Sequence, residues 1–104
     1  MENSFIIELK NLLEAGLSSG DVSLGTVARK IAMSRRAVQR ELMNQGTTFR
    51  VVLDSARYQV AADMLKQKSA DTGKVAAHLG FSHLSSFYRA FKRWSGKTPL
   101  EFLK

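Results

Sequence analysis

The sequence predicts an all-α fold of about seven helices, in which two similar short units flank one long helix. Three observations carry this expectation. No segment alternates apolar and polar residues with period two over a useful length, so no half-buried strand is expected. Apolar residues recur instead at helical spacing, in segments opened by Ser, Thr or Asp and several of them closed by glycine. VARKIAMS (27–34) also returns as VAAHLGFS (75–82), with Val27/Val75, Ala28/Ala76 and Ser34/Ser82 identical.

Asn3 or Ser4 is placed to cap a first helix whose apolar positions are Phe5, Ile6, Leu9, Leu12, Leu13 and Leu17. SSGD (18–21) reads as a turn. Ser23 then caps a short helix, LGTVARKIA, and Ser34 caps a second, RRAVQRELMNQ, which Gly46 stops. Thr47 or Thr48 opens a long helix reaching about Gln67, with Phe49, Val52, Leu53, Ala56, Val60, Met64 and Leu65 facing inward. Asp71 caps TGKVAAHL, and the next helix, within FSHLSSFYRAFKRWSG (81–96), ends at Gly96. Thr98-Pro99-Leu100-Glu101 has the form of a capping box with proline at the first helical position.

The repeat extends beyond its identical residues. One extra residue in the second turn shifts the offset from 48 to 49, after which Val38 matches Phe87 and Arg40 matches Arg89; Gly46 and Thr48 recur as Gly96 and Thr98 at an offset of 50. Each copy is a short helix with a small central residue (Ala28, Ala76), a turn, and a second helix carrying bases. The small residue lets two helices cross closely. The turn suits a residue of positive φ, which Gly80 supplies. Ala32 holds that place in the first copy, where it costs roughly 1 kcal/mol or is avoided by a different turn. The unit is a helix-turn-helix, a device that sets the N-terminal turns of its second helix into the major groove of DNA. The expected division is residues 1–47, a linker helix 48–67, and residues 68–104.

Charge falls where this reading needs it. The net charge is +7 and the pI is near 10.2. Arg35, Arg36, Arg40 and Arg50 against Glu41 give the segment 34–50 a net charge of +3. Arg89, Lys92, Arg93, Lys97 and Lys104 against Glu101 give 83–104 a net charge of +4, and all other charges cancel. Two basic foci on a neutral background are the footprint of a polyanion partner. Absence of cysteine rules out a disulfide framework and fits a reducing cytoplasm. No apolar run approaches the roughly 18 residues that span a bilayer. Glu2 and Glu8 make the N-terminus unlike a signal peptide.

Helical projection selects the candidate contacts. With Ser34 as cap, Arg36, Gln39 and Arg40 point away from the apolar Val38 and Leu42. With His83 as cap, Ser85, Ser86 and Arg89 point away from Phe87 and Phe91. Arginine grips guanine O6 and N7 bidentately and glutamine does the same for adenine N6 and N7, so these six are the expected base contacts. Ser34, Arg35, Arg50, His83, Lys92, Arg93 and Lys97 border them as expected phosphate contacts. A linker helix of twenty residues spans about 30 Å, close to the roughly 34 Å of one DNA turn. A monomer would thus reach two successive major grooves and read an asymmetric site.

These residues resemble the DNA-binding domain of the arabinose-operon regulator (AraC/XylS) family of bacterial transcription regulators. VAAHLGFSHLSSFYRAFKRWSGKTPLEF is similar to that family's pattern of GF, then F-x-R-x-F-K-R, then G-x-TP. VARKIAMSRRAVQREL and SARYQVAADML also fit, so the resemblance covers about residues 20–104. It implies sequence-specific DNA binding by two helix-turn-helix units in the bacterial cytoplasm, at the nucleoid, with activation through RNA polymerase in many members. Such members commonly carry an effector or dimerisation domain ahead of this one, so a short member or part of a longer protein is expected. The chain departs from the pattern at Ala32 (usually glycine), His83 (usually aspartate) and Thr72 (usually apolar). Arg35 with Arg36 makes the first reading helix unusually cationic.

Other functions fit less well. Metal-ligand spacing and a glycine-rich phosphate loop are both lacking, and His78 and His83 have no catalytic partner nearby in sequence, so neither enzyme nor cofactor is expected. His78 reads as a surface residue, Arg57 as half of a structural ion pair, and Trp94 as core. The rival readings are nonspecific architectural DNA binding, resting on charge alone, and a basic amphipathic membrane-surface or partner-binding module. Against the latter, Phe81, Phe87 and Phe91 are needed to close a small core.

Overall fold

The computed structural model describes residues 4–103 as seven α-helices, with no strand among them. They are α1 (Ser4–Gly16), α2 (Leu24–Lys30), α3 (Arg35–Asn44), α4 (Phe49–Leu65), α5 (Thr72–His78), α6 (Leu84–Ser95) and α7 (Pro99–Phe102). The expected capping role of Asn3, and the charge of Lys104, lie outside the described residues. Ser23, Ser34, Thr48 and Asp71 each accept a hydrogen bond from a backbone amide in the first turn that follows. These bonds satisfy amides that helix geometry leaves without partners. The capping box closes in both directions: Glu101 N donates to Thr98 Oγ1 at 3.2 Å, and Thr98 N to Glu101 Oε1 at 2.9 Å.

The central helix α4 packs against α1, α5 and α6. Leu9 and Leu13 of α1, Val52, Leu53 and Ala56 of α4, and Phe87 and Phe91 of α6 belong to one continuous buried cluster. Its outer layer includes Phe81 and Trp94, whose ring centres lie 6.2 Å apart. The stripe Phe87, Phe91, Trp94 is therefore an anchor. Phe87 and Phe91 are fully buried, and truncating either to alanine would cost about 3–5 kcal/mol. No helix among the described residues is long and apolar enough to cross a membrane.

Two expectations about α4 change. It ends at Leu65 rather than Gln67, giving 17 residues and a length of about 26 Å. Beyond Leu65 the chain is exposed through Asp71, so no burial rewards continuing the helix. Among the described residues Arg57 does not form its expected ion pair. Asp54 Oδ2 instead lies 3.5 Å from Arg50 Nε, one helical turn back, while Arg57 Nε is buried without a partner. His78, expected on the surface, is half-buried at the end of α5.

Candidate nucleic-acid interface

The two helix-turn-helix units share their backbone bonding. Met33 N donates to Ala28 O at 2.9 Å, and Phe81 N to Ala76 O at 3.0 Å. Ala32 N donates to Arg29 O at 3.1 Å, and Gly80 N to Ala77 O at 3.0 Å. Ala32 takes φ 57° and Gly80 φ 88°, both left-handed. The first turn is thus built like the second despite its alanine, and the alternative turn is not used. Thr72, the other departure within the second unit, receives a long hydrogen bond of 3.5 Å from the Tyr88 hydroxyl of α6.

On the first unit, Arg36, Gln39 and Arg40 are exposed and line one surface groove with Met43 and Asn44. Ser34 accepts from Ala37 N at 3.0 Å, an N-cap bond that leaves its hydroxyl hydrogen free to donate. Arg35 folds back across α2. Its Nε lies 3.1 Å from where a Cβ on Gly25 would stand, so the missing side chain makes its seat.

On the second unit, Ser85 and Arg89 are exposed and Ser86 is half-exposed, with Arg89 Nη2 donating to Ser86 Oγ at 3.4 Å. His83 opens α6 but makes no capping hydrogen bond through its side chain. Ser86 N donates to His83 O at 3.1 Å, so the amides of Leu84 and Ser85 are the ones left open to an anion. Lys92 and Arg93 occupy its last turn, where cations complement the helix dipole. Lys97 is exposed beyond Gly96.

A third basic area joins α4 to α6. Arg93 lines a shallow groove with Val51, Asp54, Ser55, Tyr58 and Trp94. Burial pushes the Arg57 guanidinium below its ordinary pKa; the Asp54 carboxylate opposes this, and the charges of Arg50 and Arg93 add to it. Asp54 pairs directly with Arg50 and borders the same groove as Arg93. Arg50, expected at a phosphate, keeps 70% of its side chain exposed, so the pair leaves it reachable.

A family model described as a helix-turn-helix domain matches residues 27–104. The chain belongs to the AraC-type helix-turn-helix family. Similar AraC-type proteins include the HTH-type transcriptional regulator VqsM of Pseudomonas aeruginosa, 38% identical over 77% of this chain and 25% of that protein. The DNA-binding dual transcriptional regulator Rns of Escherichia coli is 30% identical over 94% of this chain and 37% of its own. The chain spans about a quarter of the length of the first of these relatives. Among solved structures, the transcriptional regulator CdpR of Pseudomonas aeruginosa aligns with TM-score 0.71 at 34% identity, over 78% of this chain and 26% of that one. A DNA-binding transcriptional dual regulator from Escherichia coli K-12 shares the fold, with TM-score 0.85 at 20% identity over 99% of this chain and 97% of that one.

Sequence reasoning overlooked three participants in this AraC-type surface. Met43 and Asn44 share the groove of Arg36, and their signal was available: Met43 stands seven residues beyond Arg36 and four beyond Gln39. Gly25 had no such signal, because its role depends on where Arg35 folds.

Proposed function

We propose that this chain binds double-stranded DNA sequence-specifically and regulates transcription, setting α3 and α6 into successive major grooves on one side of the duplex. The observation that carries the reading is the shared bonding of the two turns. Two independent base-bearing helices, Arg35–Asn44 and Leu84–Ser95, leave equivalent turns with polar faces outward. A single solvated polar helix is common, whereas a duplicated one with a charge focus on each copy matches a repeating polyanion. Residues 1–47 and 68–104 act as the two reading units and 48–67 as the linker between them. The long dimension of 40 Å exceeds the roughly 34 Å of one DNA turn, although α4 alone is shorter than that turn.

Arg36, Gln39 and Arg40 read bases in one groove, and Ser85, Ser86 and Arg89 in the next. Ser34, Arg35, Arg50, His83, Lys92, Arg93 and Lys97 hold phosphates, with the open amides at the start of α6 assisting. The first helix carries more of the specificity, because serine hydroxyls discriminate bases weakly compared with bidentate arginine and glutamine. VqsM and Rns are named as transcriptional regulators, which supports the same role here. In the whole protein, a further domain for an effector or dimerisation and a contact to RNA polymerase complete the proposal. The bacterial cytoplasm, at the nucleoid, is its place of action.

Selection of bound duplexes from a random pool, followed by footprinting of the winner, tests this. Two protected major-groove segments about one turn apart, within roughly 20 base pairs, are expected. One contiguous segment contradicts the two-groove reading. Equal affinity for all duplexes contradicts specificity and leaves binding by charge alone.

A further inference from the structure

Among the described residues Met43 is the most exposed of the large apolar side chains, at 71%, and it stands on the face of α3 that carries Arg36, Gln39 and Arg40. It lines the groove that holds Arg36, Gln39 and Arg40, and a second groove with Gln39, Thr48 and Phe49. A lone exposed apolar residue is ordinary on most surfaces and needs no explanation. This one interrupts a basic and amide-bearing face, where α3 otherwise carries Arg36, Gln39 and Arg40 outward. The inner side of α3 is already closed by Val38 and Leu42, both fully buried, so the core makes no use of Met43.

A major-groove edge offers hydrogen-bonding groups at every base pair and one apolar group, the 5-methyl of thymine. We infer that Met43 is a specificity-determining residue that packs its thioether against a thymine methyl beside the base pair read by Gln39. This rests on the reading of α3 as a groove-entering helix. Helical spacing supports the pairing of roles, because Gln39 and Met43 lie one turn apart on one face and both border the same two grooves. An adenine gripped by the Gln39 amide brings its partner thymine into the same groove, and neighbouring steps lie within reach of a side chain one turn further along. Methionine suits such a contact because it is unbranched and polarizable and adapts its shape to a small apolar target.

The experiment uses the duplex selected by the wild-type protein, with each thymine in turn replaced by deoxyuridine, which removes only the methyl. Wild-type affinity should fall about three- to tenfold at one thymine, within two base pairs of the position whose preference is relaxed by Gln39→Ala. Met43→Ala should bind the unmodified duplex more weakly by a similar factor and lose its sensitivity at that thymine alone. Met43→Leu should retain it. An unchanged sensitivity in Met43→Ala, or no sensitive thymine near the Gln39 position, overturns the inference. If Gln39→Ala and Arg40→Ala still relax base preference, the specific-binding reading survives that failure. If neither does, both fall together.

Discussion

Ala32 and Gly80 occupy the same left-handed position in two turns 48 residues apart, at φ 57° and φ 88°. Only one of them is glycine. An L-residue in this region costs roughly 1–2 kcal/mol because its Cβ crowds the backbone. The first unit carries that strain, and the hydrogen bonds that follow Val27 and Ala28 hold it in place.

Ala32→Gly should therefore stabilise the protein by about 0.5–1 kcal/mol, the relief of strain exceeding the added entropy of the unfolded chain. Gly80→Ala should destabilise it by a comparable amount. A Cβ there meets nothing within 4 Å, so the penalty comes from the backbone alone. Denaturant titration of both variants checks this; equal stabilities for wild type and Ala32→Gly would mean that the strain is no larger than the entropy glycine adds to the unfolded chain.

The start of α6 invites a second substitution. His83 holds the N-cap position without a side-chain bond to the helix. His83→Asp places an acceptor near the open amides and a negative charge at the positive end of the helix. A gain of about 1 kcal/mol is expected in chemical denaturation. Were the variant no more stable, the amides of the first turn would already be served by water.

Base-reading and phosphate-holding residues should separate by salt. Arg40→Ala or Arg89→Ala should cost about 1–3 kcal/mol and relax preference at one position of the site. Lys92→Ala and Lys97→Ala should weaken binding to all duplexes alike and lower the slope of log affinity against log salt by about one each. Titrations at several salt concentrations, on the selected duplex and on a scrambled one, distinguish the two behaviours. Equal losses on both duplexes for Arg40→Ala would reassign that arginine to the backbone.

Acid should act first on the C-terminal turn. Hydrogen bonds from Thr98, and then the nearby charges of Lys92 and Lys97, hold the Glu101 carboxyl below its ordinary pKa. A carboxylate with a lowered folded-state pKa contributes stability above its unfolded value, near 4.3, and loses that contribution as pH falls through the folded value. The protection of α7 amides, taken relative to the intrinsic exchange rate at each pH, should fall as the solution is acidified below about pH 4, while Glu101→Gln should flatten that response. Protection of α7 independent of pH in the wild type would contradict the role of the capping box.

Much of this fold is legible in the chain because its signals are local. Ser23, Ser34, Thr48, Asp71 and Thr98 announce helix starts by residues that accept amide hydrogens, and each does so in the structure. Phe87 and Phe91 announce a buried stripe by spacing alone, and both are fully buried. His83 is the exception among the caps: position marks it, yet its side chain makes no such bond. The end of α4 was overestimated because Lys66 and Gln67 favour helix intrinsically but gain no burial from remaining in it.

By itself, the sequence determined that the chain is helical, that one unit occurs twice, and that both copies carry excess positive charge. Period, capping chemistry and charge are properties of neighbours along the chain. Tertiary structure decided that Ala32 accepts a glycine's conformation, that Asp54 pairs with Arg50 rather than Arg57, and that Arg35 lies across Gly25. It also gathered Arg36, Gln39, Arg40 and Met43 around one groove. Such choices turn on differences of about 1 kcal/mol between competing rotamers and turns. Those differences come from which surfaces the packed helices bring within a few ångströms of each other.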